Sequence, residues 1–194
     1  MSLVLGFKKD DVVYLAADTQ STRDEDKYNI TSRSNLKIHK LESGLIIAWV
    51  GEVSTEQVLL AHPEWFEFNT KKGLNKKDIT TKMVYKIFNG LKEQDKLIKK
   101  KDDVYKMDGT FLLAYKDKLY QVCSRFAVMR YDDYQAIGSG ALAASYATMR
   151  IDRNKDINEQ LLNILKISEK HTNIVSAPFV FINTKDLEFE VWRG

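Results

Sequence analysis

Cysteine is almost missing from this 194-residue chain: Cys123 is the only one. A single thiol excludes an intramolecular disulfide framework and a multi-cysteine zinc site, and it suits a reducing cytosol. Proline is nearly as scarce, at 2 residues, and glycine stops at 9, which excludes collagen-like and Pro/Gly-rich disordered classes. Long apolar runs are lacking too. The longest, Leu45-Ile46-Ile47-Ala48-Trp49-Val50, falls far short of the roughly 20 residues a bilayer span needs. The opening Met1-Ser2-Leu3-Val4-Leu5-Gly6-Phe7-Lys8 has no basic region ahead of an apolar stretch, so a signal peptide is not expected. Charge of one sign is also lacking: 30 Lys and Arg face 27 Asp and Glu, a net +3. The clusters Lys71-Lys72, Lys76-Lys77 and Lys99-Lys100-Lys101 have no aromatic residues interleaved with them, so a solvated rim is expected rather than a nucleic-acid face. The expectation is one cytoplasmic globular domain over 1–194, binding neither membrane nor nucleic acid.

What is present is hydrophobic periodicity of two kinds. Ser2 to Phe7 and Val12 to Ala17 read as strands joined by the turn residues Lys8-Lys9-Asp10-Asp11. A polar loop, Thr19 to Ser34, separates them from a second pair, Asn35 to Leu41 and Leu45 to Val50. The unbroken apolar run of that last strand predicts burial on both faces. Ser54 followed by Gln57 reads as a capping box opening a helix that Pro63 ends. Ile79, Met83, Ile87 and Leu91 recur every fourth residue and predict a helix from Asp78 to Leu91. Strands at Gly109 to Tyr115 and Leu119 to Ser124 follow, then Tyr134 to Ile137 running into Gly138-Ser139-Gly140 and a small-residue helix, Ala141 to Arg150. Asp156, with Glu159 three residues on, caps a helix to Thr172. A strand at Pro178 to Ile182 and a tail from Leu187 to Trp192 close the chain. Strands, two helices, strands, two helices, strands: this order predicts an α+β fold, a four-layer αββα sandwich.

Several of these segments, taken together and in order, are distinctive. Ser2 to Lys8, Val12 to Asp18, Asn35-Leu36-Lys37-Ile38, Trp49-Val50-Gly51 and Ala136-Ile137-Gly138-Ser139-Gly140 resemble the proteasome β-type family. Within that family they are similar to the bacterial proteasome-like peptidases that work with an AAA+ unfoldase. Each motif alone is weak, and the stretch from Pro63 to Met107 fits least well; in series they cover nearly the whole chain. The resemblance implies an N-terminal-nucleophile hydrolase on an αββα sandwich, assembled into stacked rings with a polypeptide substrate inside and no cofactor.

The resemblance also implies roles. Ser2 falls where the family has its nucleophile, usually Thr, and removal of Met1 would free its α-amine to act as base. Ser lacks the methyl that restrains χ1 in Thr. Lys37 matches the lysine that favours the ionised hydroxyl, and Asp18 the residue that holds it. Gly51 matches the backbone N–H donor of an oxyanion hole. Ser139 either orients the N-terminal amine or only caps the next helix, and Ser176 fits the orienting pattern as well. Two positions depart: Leu3 stands where a second Thr is usual, and Asn173 where the family has Asp, keeping hydrogen bonds but losing the charge that would stabilise a protonated amine. The loop before Lys37 is also longer than in those kin.

The sequence therefore leaves three functions open: a peptidase, a catalytically silent subunit used for assembly or binding, and a small amidohydrolase on the same fold. His39, His62 and His171 show no metal spacing, Cys123 reads as a buried core thiol, and neither a phosphate loop nor a dinucleotide fingerprint is present. Any unfolding by ATP must be done in trans.

Overall fold

The computed structural model describes residues 2–23, 26–29, 36–94, 97–101, 103–172 and 175–194. Alternation of apolar side chains along the first two strands, β1 (Leu3–Lys9) and β2 (Val12–Asp18), decides the layering. Leu3, Leu5 and Phe7 point to one face of the sheet, while Val4 points to the other with Val13, Leu15 and Ala17. Both faces are apolar, so both must be covered.

Two five-stranded antiparallel sheets result. The first sheet has the order β12-β1-β2-β13-β14. Its later members are β12 (Tyr134–Gly138), β13 (Phe179–Asn183) and β14 (Glu190–Trp192). The second has the order β11-β10-β9-β6-β5, built from β5 (Ile38–Lys40), β6 (Ile46–Gly51), β9 (Gly109–Tyr115), β10 (Lys118–Val122) and β11 (Val128–Tyr131). Val4, Leu15, Ile38, Ile46, Ala48, Leu112, Leu119 and Ile137 fill the space between the sheets. The run from Leu45 to Val50 is thus buried on both faces: Ile46 and Ala48 point inward, Ile47 and Trp49 outward.

Helices complete the four layers. Helix α1 (Val53–Ala61) and helix α2 (76–93) cover the second sheet, where Leu59, Ile79, Met83, Ile87 and Leu91 meet Ile47, Trp49, Phe111 and Leu113. Helix α3 (Ala141–Thr148) and helix α4 (Ile157–His171) cover the first, through Ala144, Ile157, Leu161, Ile164 and Leu165. The fold is the αββα sandwich expected from the element order. The expected Asp156 cap is present: its carboxylate accepts from the Glu159 N–H at 2.8 Å.

Local expectations needed correction in four places. Helix α1 starts one residue before Ser54, with Glu52 as its N-cap and no side-chain bond, so the Ser54–Gln57 capping box is not formed. The cause is tertiary: Glu52 N–H donates to the Asp108 carbonyl at 2.8 Å and fixes where the chain leaves β6. The polar loop holds a hairpin, β3 (Gln20–Arg23) with β4 (Asp26–Asn29), and the lysine-rich stretch forms another, β7 (Ile98–Lys101) with β8 (Val104–Met107). Each pairs only with itself, so neither carries the apolar alternation that reveals a strand. Tyr105 of β8 lies under the ammoniums of Lys92 and Lys100. Finally, Cys123 is half-buried at the turn after β10 and is not a core thiol.

Truncation between the sheets should be costly, because flat sheets cannot close a void. Leu112→Ala, at a site with 0% exposure, is expected to destabilise by about 2–5 kcal/mol. Chemical denaturation checks this, and a loss below about 1 kcal/mol would mean the layer is loosely filled.

Candidate active site

Five of the six candidate residues come from strands or strand ends. Strand β1 begins beside the C-terminal end of β2, and antiparallel pairing of Val4 with Ala17 puts the residue 2–3 peptide next to Asp18. Asp18 is 1% exposed, Ser2 and Lys37 8% each. Three donors converge on the Asp18 carboxylate. Leu3 N–H donates to Oδ1 at 2.8 Å, the Lys37 ammonium donates to the same oxygen at 2.7 Å, and Gln20 N–H donates to Oδ2 at 3.1 Å. Lys37 also donates to the Gln20 carbonyl at 2.7 Å. The ammonium therefore shares one acceptor atom with the peptide that Ser2 begins.

Lys37 bridges the two sheets. It sits one residue before β5, the edge strand of the second sheet, and its carbonyl accepts from Trp49 N–H at 2.8 Å. Its head reaches Asp18 at the end of the first sheet. Burial sets the electrostatics. Desolvation pushes the Lys37 ammonium below its ordinary value, against the opposing pull of Asp18 and, more weakly, of Glu56. Burial likewise pushes Asp18 up, while Lys37 and the N–H groups of Leu3 and Gln20 draw it back. Donors on both carboxylate oxygens favour the ionised carboxylate.

Two glycines let the strands close on this pair. Gly138 has φ +102 and pairs with Leu3; a Cβ there would be driven into the Ser2 carbonyl. Gly51 has φ +152 and pairs with Gly109, and a Cβ there would be driven into Asp108 and Gly109 backbone. Val50, next to Gly51, also lies beside Gly138. Gly51, Gly138 and residue 2 thus share one end of the sandwich. Both backbone conformations are of the kind that L side chains rarely adopt.

The serines are placed less tightly. Ser139 lies exposed in the turn after Gly138, and its side chain makes no hydrogen bond among the described residues. The capping alternative therefore does not hold: Gly140 takes the N-cap position of α3. Ser176 is half-buried ahead of β13, whose Phe179 pairs with Asp18. Asn173 and Met1 lie outside the described residues.

One element of the site was not read from the sequence. His39 Nε2 and Glu56 Oε1 lie 3.0 Å apart, with side chains 12% exposed each, on the side of the second sheet against which α1 packs. Alternation along β5 places His39 two residues from Lys37, but its partner comes from a helix that only the tertiary fold brings there. Among the described residues no group of three or more His, Cys, Asp or Glu could hold a metal ion. No helix among them is long and apolar enough to cross a membrane.

Comparison with known proteins bears on the same frame. A family model described as proteasome subunit matches residues 2–166. Among solved structures, Thiobacillus denitrificans BPH in complex with epoxomicin superposes with a TM-score of 0.73 at 19% identity, over 96% of this chain and 99% of that one. HslV from Trypanosoma brucei gives 0.66 at 13% identity, over 93% and 98%. Anbu, an ancestral β-subunit from Yersinia bercovieri, gives 0.72 at 8% identity, over 98% and 87%. At these identities the likeness concerns the fold. No curated protein matches the chain.

The buried pair makes a stability prediction with an internal control. Asp18→Ala strands the Lys37 ammonium on a single carbonyl and should cost about 3–5 kcal/mol, whereas Asp18→Ala with Lys37→Met should recover much of that loss. Urea titration of the single and double variants checks it. Equal instability of the two would mean that the charge itself is not what the site must neutralise.

Proposed function

Because the chain belongs to the proteasome subunit family, we propose that it is a Ser-type N-terminal-nucleophile peptidase subunit that cuts polypeptide inside an oligomeric ring. One observation carries this reading: a buried Asp18–Lys37 pair whose shared oxygen also holds the Leu3 N–H, directly beside Ser2.

The proposed chemistry starts when Met1 is removed and the α-amine of Ser2 is free. The Ser2 hydroxyl attacks the scissile carbonyl carbon, and its proton passes to that amine or to a water the amine holds. The Lys37 ammonium favours the developing alkoxide, and Asp18 keeps the ammonium aimed. The carbonyl oxygen becomes an oxyanion and accepts from the Gly51 N–H. Collapse of the tetrahedral intermediate breaks the C–N bond, with the α-amine returning the proton to the leaving amine. Water then hydrolyses the Ser2 ester and restores the hydroxyl. In this scheme Ser139 and Ser176 orient the freed amine; the position of Ser139 just beyond Gly138, which pairs with Leu3, supports its share.

The same reading extends to assembly. Leu142 and Tyr146 on α3, Met149 just beyond its end and Ile167 on α4 are 71%, 64%, 63% and 48% exposed, an apolar surface that suits contact with further copies of the chain. We take the working form to be a cytoplasmic homo-oligomeric ring fed by an AAA+ unfoldase, with no cofactor.

Three outcomes test it. Ser2→Ala and Lys37→Ala should each lower amide hydrolysis on the order of 10³-fold or more, because nucleophile and activator act as one unit. Full activity in Ser2→Ala, or in protein shown by mass to keep Met1, would move catalysis to another site, and no activity in the processed native chain would leave the silent-subunit reading. The pH profile supplies the second. Catalysis needs the charged ammonium and burial lowers the pH at which that charge is lost, so kcat/KM should fall with rising pH before the ordinary lysine value of 10.5 is reached. A rate that stays flat up to that value would contradict the role given to Lys37. Sedimentation of the purified chain supplies the third, with a ring expected and a monomer at micromolar concentration against it.

A further inference from the structure

The apolar layer between the sheets is interrupted near the site by the amide of Gln121, a side chain 9% exposed. Alternation puts Thr110, Gln121 and Gln135 in that layer, each two residues from an apolar member of it: Leu112, Leu119 and Ile137. Thr110 gives its one hydroxyl proton to the Val122 carbonyl at 2.9 Å, so its Oγ1 accepts from Gln121 Nε2 at 3.2 Å. That orientation leaves Gln121 Oε1 to accept twice, from Tyr131 OH at 3.0 Å and from Gln135 Nε2 at 2.7 Å. Thr110, Gln121 and Tyr131 belong to the second sheet and Gln135 to the first, so the bond from Gln135 is the one that crosses the layer. An apolar side chain of the same volume would fill the space without the cost of burying an amide. What the amide adds is direction: hydrogen bonds fix a separation and an angle, which apolar contact does not.

Both ends of this clamp lead into the site. Three residues past Gln135, β12 reaches Gly138, which pairs with Leu3 and where a Cβ would meet the Ser2 carbonyl. On the other side Thr110 pairs with Val50, and the preceding Gly109 pairs with Gly51. We propose that Gln121 is a positioning residue for the oxyanion donor: by joining β12 to β9 across the layer, it sets how far the Gly51 N–H stands from residue 2. The inference rests on the reading of Ser2 as the nucleophile and Gly51 as that donor. A donor of this kind works only about 2.7–3.1 Å from where the oxyanion will sit. With the nucleophile on one sheet and the donor on the other, the gap between sheets has to be held closely. Gln121 acts only through the strands it joins. Tyr131 bonds the same oxygen from within the second sheet, so it helps to satisfy the amide but does not set the gap.

The test reads the donor amide first. Val50–Gly51 is the only Val-Gly pair in the chain, so ¹⁵N-glycine combined with carbonyl-¹³C valine assigns the Gly51 signal in the full chain. Gln135→Leu, a change confined to the first sheet, should shift the Gly51 amide of the second and leave Gly73, in the loop before α2, in place. Tyr131→Phe removes a bond to the same oxygen without crossing the layer and should leave Gly51 where it was. An unmoved Gly51 amide in Gln135→Leu overturns the proposal, as does an equal shift in Tyr131→Phe, which would mean general loosening. Protein freed of Met1 supplies the chemical readout. A peptide β-lactone acylates Ser2 through a carbonyl oxyanion: the ring C–O bond breaks and the released alkoxide takes the hydroxyl proton. A peptide vinyl sulfone adds to the same hydroxyl, the proton passing to carbon, with no carbonyl oxyanion. Gln121→Leu should slow the β-lactone reaction about 10- to 100-fold and the vinyl sulfone reaction far less. Equal slowing of both, or of neither, overturns the proposal. Should Gln121→Leu not fold, Gln135→Leu must give the same split, or the proposal fails. A shifted Gly51 amide in a native chain that neither probe labels upholds the coupling across the sheets and removes the peptidase reading instead.

Discussion

An ammonium taken out of water has to meet a negative charge, and in this chain Lys37 meets it on Asp18. Almost everything near the end of the sandwich follows from that requirement. The carboxylate at the end of β2 accepts from an edge-strand lysine, from the peptide that opens β1 and from the peptide that opens the β3–β4 hairpin. One side chain thus ties together both sheets, the start of β1 and the start of the β3–β4 hairpin. In a site built this way the hydrogen bonds gathered on one carboxylate polarise one another.

The four layers make such burial possible. Two sheets with apolar side chains on both faces leave water out of the space between them, and the helix pairs seal the outside. The charged pair sits at a strand end, where backbone groups of Leu3 and Gln20 are free to match it. Gly51 and Gly138 have the complementary function. Each removes a side chain at a point where backbones nearly touch, Gly51 against Asp108 and Gly109, Gly138 against the Ser2 carbonyl. A buried, preorganised cation beside residue 2 is an arrangement in which electrostatic stabilisation is strong.

The fold was legible because its signals are local and repeated. Alternation in Leu3 to Phe7, the double-sided run from Leu45 to Val50 and the four-residue stripe from Ile79 to Leu91 each name an element and the face it buries. Five strands in or beside polar stretches were not legible. The hairpins at Gln20–Arg23 and Ile98–Lys101 pair outside the core, and the short β11 has only Val128 fully buried. The start of α1 was misread because Ser54 has the right chemistry for a cap, whereas the Asp108 carbonyl decides where the helix begins. At the site, Asp18 and Lys37 were named through family resemblance, not through spacing, because 19 residues separate them. Glu56 had no such guide. Its partner His39 is 17 residues away in sequence, and only the packing of a helix on an edge strand makes them neighbours.

The central claim is that this buried pair exists to activate residue 2, and covalent labelling tests it most directly. Protein freed of Met1 is treated with a peptide-based electrophile, digested and mapped by mass spectrometry, beside Lys37→Ala treated in the same way. The account predicts a single adduct on the peptide beginning at Ser2, formed quickly in the native chain and lost in Lys37→Ala. An adduct on another residue, or one on Ser2 that forms equally fast without Lys37, would contradict it.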